Sequence, residues 1–137
     1  MTRDEIYHRL DTARVATFAS IGADGRSHLV PIVFVHTGDT LVTAVDHKPK
    51  RTPALRRLEN ISRDDRVTVL VHHYAEDWND LWWIRIDGTA EIIPAGNARH
   101  HPVVQPLIRK YGQYQGIDLG DAIVVTMNKV LGWAASA

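Results

Sequence analysis

The stretch Leu81-Trp82-Trp83-Ile84-Arg85-Ile86-Asp87-Gly88-Thr89-Ala90-Glu91-Ile92-Ile93 decides the fold. Its residues alternate with a period of two. Trp82, Ile84, Ile86, Ala90 and Ile92 share one face, and Trp83, Arg85, Asp87, Thr89 and Glu91 share the other. Successive strand side chains point to opposite sides of a sheet, so this pattern predicts a half-buried strand with a polar outer face. Working outward, residues 66–74 (RVTVLVHHY) and 122–135 (AIVVTMNKVLGWAA) read as flanking strands. Towards the N-terminus, 14–21, 28–36 and 40–46 read as three more. Ala23-Asp24-Gly25-Arg26 and Thr37-Gly38-Asp39 supply the turns, with glycine where a positive φ is needed. Pro31 cannot donate to a ladder, so it marks an edge, a bulge or a close approach of ligand to backbone.

Helices fall between these strands. Thr2 and Glu5 have capping-box spacing, with Ile6 and Leu10 on one face, which predicts a helix over 2–12. Thr52-Pro53 reads as an N-cap followed by proline in the first helical position, with a helix running to about Asn60 and Leu55 and Leu58 inward. A further helix is predicted from Pro102 to Tyr111, with Val103, Val104, Leu107, Ile108 and Tyr111 as its apolar stripe and Gly112 as its stop. His100-His101 is placed in a loop before it. Six strands, one helix between the third and fourth and another before the last add up to a mainly β domain over 1–137. The expectation is a closed antiparallel barrel with short flanking helices, because closure leaves no edge strand exposed.

Composition narrows the class. The 137 residues carry no net charge, 45% hydrophobic and 23% charged residues, and no cysteine. This is a globular composition, and the neutral balance argues against a general nucleic-acid binder. The polar start MTRDEIYHRL lacks a signal peptide's apolar run, and no stretch approaches a membrane span. With the absence of cysteine, the expected location is the cytoplasm.

The segment Asp46-His47-Lys48-Pro49-Lys50-Arg51-Thr52 places three cations immediately before a helix start. Free N–H groups and the positive end of the helix dipole already favour an anion there. Lys48, Lys50, Arg51 and Thr52 are therefore the candidate phosphate site, and Arg56 and Arg57 extend its positive field. The bland alternative is a solvated basic loop. In Asp77-Trp78-Asn79-Asp80-Leu81-Trp82-Trp83, the adjacent Trp82 and Trp83 must face opposite ways, so one of them needs a ligand or a second subunit to cover it. Eight histidines occur without metal-ligand spacing, since His72 and His73 diverge along a strand. Nucleophile-elbow, P-loop and G-x-G-x-x-G patterns do not occur. No catalytic residue is assignable.

Three segments in order, TAVDHKPK (43–50), LRRLENI (55–61) and DWNDLWWIRIDG (77–88), make the chain resemble the pyridoxamine-phosphate-oxidase-like family of FMN-binding split β-barrels. Within it, the resemblance is to the small enzymes that use the deazaflavin coenzyme F420. That resemblance implies a six-stranded split barrel acting as a homodimer, with cofactor at the subunit interface and a small-molecule substrate. It implies phosphate contacts from Lys48, Lys50, Arg51 and Thr52, and a ring lying against the backbone of Val30, Pro31 and Ile32. His28 and Trp78 are weaker candidates for the ring edge or substrate. The chain ends at GWAASA without the arginine-rich segment of vitamin B6 phosphate oxidases, so that reaction is not expected. F420 is the expected cofactor and FMN the alternative, with a non-catalytic carrier or sensor as the rival outside enzymes and haem a distant further possibility.

Overall fold

A computed structural model describes residues 1–45 and 53–136, without the side chains of 53–55. Seven strands form one antiparallel sheet: β1 (Ala16–Ile21), β2 (Ser27–Ile32), β3 (Val35–Thr37), β4 (Thr40–Ala44), β5 (Arg66–His73), β6 (Trp82–Ile93) and β7 (Ala122–Ala134). Their order is β2-β1-β5-β6-β7-β4-β3, and the sheet curls into a half-barrel. Among the described residues three α-helices accompany it, α1 (Arg3–Thr12), α2 (Pro53–Arg63) and α3 (His100–Lys110).

The expected single strand over 28–36 is two strands, interrupted at Val33-Phe34. The reason is a contact from far along the chain. Phe34 is fully buried, and its N–H donates to the Tyr111 hydroxyl at 3.3 Å. That hydroxyl in turn reaches the carbonyl oxygens of Phe34 at 3.0 Å and Arg14 at 2.8 Å. A side chain thus replaces a neighbouring strand as the backbone's partner. β2 and β3, successive segments of that expected strand, take the two ends of the strand order, so the fold is a curled half-barrel of the expected split-barrel class rather than a fully closed barrel, with seven strands for the expected six.

Thr2 caps α1 as the spacing predicted. Its hydroxyl accepts from Glu5 N–H at 3.2 Å, while the Glu5 carboxylate accepts from Thr2 N–H at 2.8 Å. Such a cap contributes about 1 kcal/mol. Ile6 and Leu10 of α1, and Leu58 and Ile61 of α2, enter one core with Phe18, Val69, Ile84 and Ile86. The two helices thereby cover the open sides of the curled sheet. Helix α3 packs on the sheet's outer surface instead, where Val104 and Leu107 meet Ala44, Ile93, Leu119 and Ala122. Ile93 belongs to the outward-facing set of β6 and is nevertheless buried, because α3 covers that end.

Strand β7 carries a bulge. Asp87 pairs with Lys129 and Gly88 with Met127, leaving Asn128 as the extra residue. Ile123, Val125 and Met127 face the core before it and Val130 after it, so one inserted residue resets the alternation. Gly88 sits at this crossing. A Cβ there would collide with the Thr126 carbonyl oxygen and lie 2.7 Å from Val125 Cγ1, so only glycine allows the strands to approach.

Candidate functional site

Edge strand β2 is the spine of the site. Among the described residues it pairs with β1 alone, from Ala16 opposite Ile32 to Ile21 opposite Ser27. Its other side is a run of backbone donors and acceptors that meets no strand among the described residues. Val30 and Ile32 point to the core, whereas Leu29 and Pro31 are exposed. Pro31 opposite Thr17 removes a donor from the edge strand, in keeping with its position there.

At the start of β2, between the β1–β2 turn and α2, lies a pocket of about 430 Å³. Arg26, His28, Arg56, Glu59, Asn60 and Arg63 line it, with Asp24 of the turn. Several of these groups build the walls. Asn60 Nδ2 donates to Ser20 Oγ at 3.0 Å. Arg63 Nη2 donates to the Ile21 carbonyl at 2.8 Å and to Asn60 Oδ1 at 3.0 Å, which fastens α2 to β1. Asp24 Oδ1 accepts the Arg26 N–H at 3.0 Å and shapes the turn, and Gly25 adopts φ +80° as the sequence required. Arg26, His28 and Arg56 remain to face a ligand. Three arginines stand against the carboxylates of Asp24 and Glu59, so the pocket is net positive. His28 Nδ1 is buried with no hydrogen-bond partner among the described residues. Leaving such an atom unsatisfied costs about 1–3 kcal/mol, and a polar ligand group would recover it.

The predicted site residues are thus partly assembled. His28, Val30, Pro31 and Ile32 lie along one strand, with Arg56 across the pocket. Lys48, Lys50, Arg51 and Thr52 lie outside the described residues, immediately before Pro53 begins α2. Trp78 sits in a short 3₁₀ turn over 78–80, capped by Asp77 Oδ1 on Asn79 N–H at 3.0 Å, and is 68% exposed. Because Thr17 pairs with Leu70 and Ser20 with His28, that turn lies at the opposite end of the sheet from His28. Within one chain, then, the two do not share a site. His100 also departs from expectation: it is buried in the first turn of α3, with Nε2 2.7 Å from the Gly120 carbonyl oxygen.

Trp82 and Trp83 diverge as their adjacency required. Trp82 packs towards the core, with Arg9 4.7 Å above its ring and His73 stacked on it at 6.0 Å. Trp83 lies on the outer face between His72 and Trp133 in register. Trp133 is 45% exposed, and Leu131 beside it is exposed as well. Arg26 and Arg63 were missed by the sequence reading. Neither has a spacing that marks it, since the docking of α2 brings them together.

A curled split half-barrel, with β2 at one end of the strand order and a basic pocket beside it, defines the fold class of the domain. The family model for pyridoxamine 5'-phosphate oxidase matches residues 2–134, and the chain belongs to that family. No curated protein sequence matches it. Among solved structures, a conserved hypothetical protein from Mycobacterium tuberculosis superposes with a TM-score of 0.80 at 20% identity, covering 98% of this chain and 86% of that one. An FAD-binding protein from Mesorhizobium loti gives 0.73 at 18% identity, covering 96% and 92%. HutZ, the haem storage protein of Vibrio cholerae, gives 0.71 at 14% identity, covering 94% and 92%. At these identities the likeness is one of fold. Among the described residues no helix is long and apolar enough to cross a membrane.

Proposed function

We propose that this protein is an oxidoreductase that binds the deazaflavin coenzyme F420 and transfers a hydride between it and a small organic molecule. The observation that carries this reading is the basic pocket at the start of β2, where His28 Nδ1 has no partner among the described residues. Lys48, Lys50, Arg51 and Thr52, just ahead of α2, take the cofactor phosphate. Arg26 and Arg56 then take anionic groups beyond it. F420 has such groups, a phosphodiester followed by carboxylates, whereas FMN ends at its phosphate and would leave both arginines without a partner. His28 offers a polar contact, and the edge backbone of Val30 to Ile32 supports the ring. When bound, the deazaflavin supplies the hydride chemistry, so the protein needs no nucleophile of its own. Its side chains bind, orient and exclude water.

The chain acts as a homodimer in this reading. Trp83, Leu131 and Trp133 form an apolar outer strip that a second copy would cover.

Titration of the cofactor-free protein with F420 and with FMN, followed by fluorescence, tests the proposal. F420 should bind more tightly. Replacing Arg26 and Arg56 together by alanine should weaken F420 by at least about tenfold, since each charge-assisted contact contributes roughly 1.5–3 kcal/mol before solvent screening. FMN affinity should change less. Preference for FMN would move the function to flavin chemistry on the same fold, and binding of neither would refute the reading.

A further inference from the structure

At the far end of β2 the chain passes through Val33 into a second cavity of about 520 Å³. Arg14, Val33, Tyr111, Gly112, Gln113 and Tyr114 line it. We propose that this cavity binds a planar organic anion, with its ring against Tyr111 and Tyr114 and its charged group on Arg14; resting on the redox reading above, that anion is the substrate.

Position supports the assignment. His28 and Val33 are five residues apart on one extended stretch, about 16 Å at roughly 3.3 Å per residue. A ring lying on Val30 to Ile32, with its tail at the basic pocket, would end beside this cavity. The chemistry of the walls agrees. Tyr111 and Tyr114 meet edge to face at 6.1 Å, a geometry that presents aromatic surface. Arg14 stacks 4.4 Å over the Tyr111 ring and donates one N–H to the Lys110 carbonyl at 3.2 Å. The guanidinium has further donors, arranged in the planar fork that fits a carboxylate.

Behind Arg14 the charge is unbalanced. Lys110 Nζ is buried without a hydrogen-bond partner among the described residues, 4.3 Å from the Phe34 ring centre and 5.4 Å from that of Tyr111. Burial, and next the charge of Arg14, lower its pKa to about 8, while Asp11 of α1 opposes them. The Asp11 carboxylate is already engaged by His36 Nδ1 of β3 at 2.8 Å. An anion on Arg14 would screen Lys110 from that repulsion and so raise its proton affinity. Ligand binding near pH 8 should therefore take up protons.

The test uses 2-naphthoate and its neutral counterpart 2-naphthamide, titrated by calorimetry into the cofactor-free protein at pH 8 in two buffers of different ionisation enthalpy. Naphthoate should bind at least about tenfold more tightly, with proton uptake that disappears in Lys110→Met. Arg14→Gln should abolish the preference. Should that variant not fold, Arg14→Lys keeps the charge and should still lose several-fold, because it lacks the fork. Equal affinities, no binding of either probe, or an unchanged preference in the Arg14 variants would overturn the proposal. The cofactor titrations are separate, so cofactor binding without naphthoate binding refutes only this cavity, and naphthoate binding without cofactor binding leaves the anion site standing and refutes only the redox reading.

Discussion

Lys110→Met removes a buried ammonium while keeping most of its aliphatic stem, and its effect on stability should depend on pH. The pKa of Lys110 falls from 10.5 to about 8 in the folded protein. At about 1.4 kcal/mol per pH unit the full linkage would be about 3.5 kcal/mol. The residue is only half-buried, and solvent screening reduces that to about 1–2 kcal/mol. Because the folded pKa is the lower one, the unfolded chain holds more protons between pH 8 and 10.5. Wild-type stability therefore gains this amount as pH rises across that window, and carries the full penalty below pH 8. The methionine variant has no such term. It also loses the cation–π contacts with Phe34 and Tyr111, worth about 0.5–2 kcal/mol to the charged form. The absolute sign at pH 7 thus reflects two opposed effects, but the slope does not. Urea denaturation of both proteins at pH 7 and pH 10 should show the variant's relative stability falling by about 1–2 kcal/mol at the higher pH. A difference that stays constant between the two would refute the account of a destabilised ammonium.

Two further outcomes follow from packing. Gly88→Ala should cost about 3 kcal/mol or more, because the new methyl meets backbone oxygen at Thr126 and cannot be relieved by a rotamer change; a loss below about 1 kcal/mol by chemical denaturation would mean that the β6–β7 crossing is looser than it looks. Trp133→Glu puts a charge on the exposed outer strip and should convert dimers to monomers in sedimentation velocity without unfolding the chain. A dimer that persists, or a wild type that sediments as a monomer, removes that strip from the argument.

Strand β6 was legible because each of its faces meets one environment for most of its length, and the period of two survives unbroken from Trp82 to Ile92. The capping box of α1 was legible for the same reason, since both partners lie within four residues. What the sequence concealed depends on distant partners. The break at Val33-Phe34 follows from Tyr111, 77 residues away. Helix α3 begins two residues before the predicted Pro102, after an Arg99 that makes no side-chain cap bond, and buried His100 finds its partner at Gly120 instead. The candidate site divides likewise. His28 and the edge backbone could be assigned by resemblance, and Arg56 by its place on a helix carrying positive charge. Arg26 and Arg63 join them only through the docking of α2 on β1, and Trp78 is carried to the other end of the sheet by a strand register that no local pattern reveals.

The junction between β2 and β3 is held by a residue that also lines a cavity. The Tyr111 hydroxyl meets the backbone of Phe34 at the point where the chain passes from β2 to β3. The same ring carries Arg14 and Lys110 as stacked cations and forms a wall of the second cavity. One tyrosine at the end of α3 therefore both fastens the β2–β3 junction and shapes the space beside it. Any change that pulls Tyr111 away should act on the cavity and on the β2–β3 junction together.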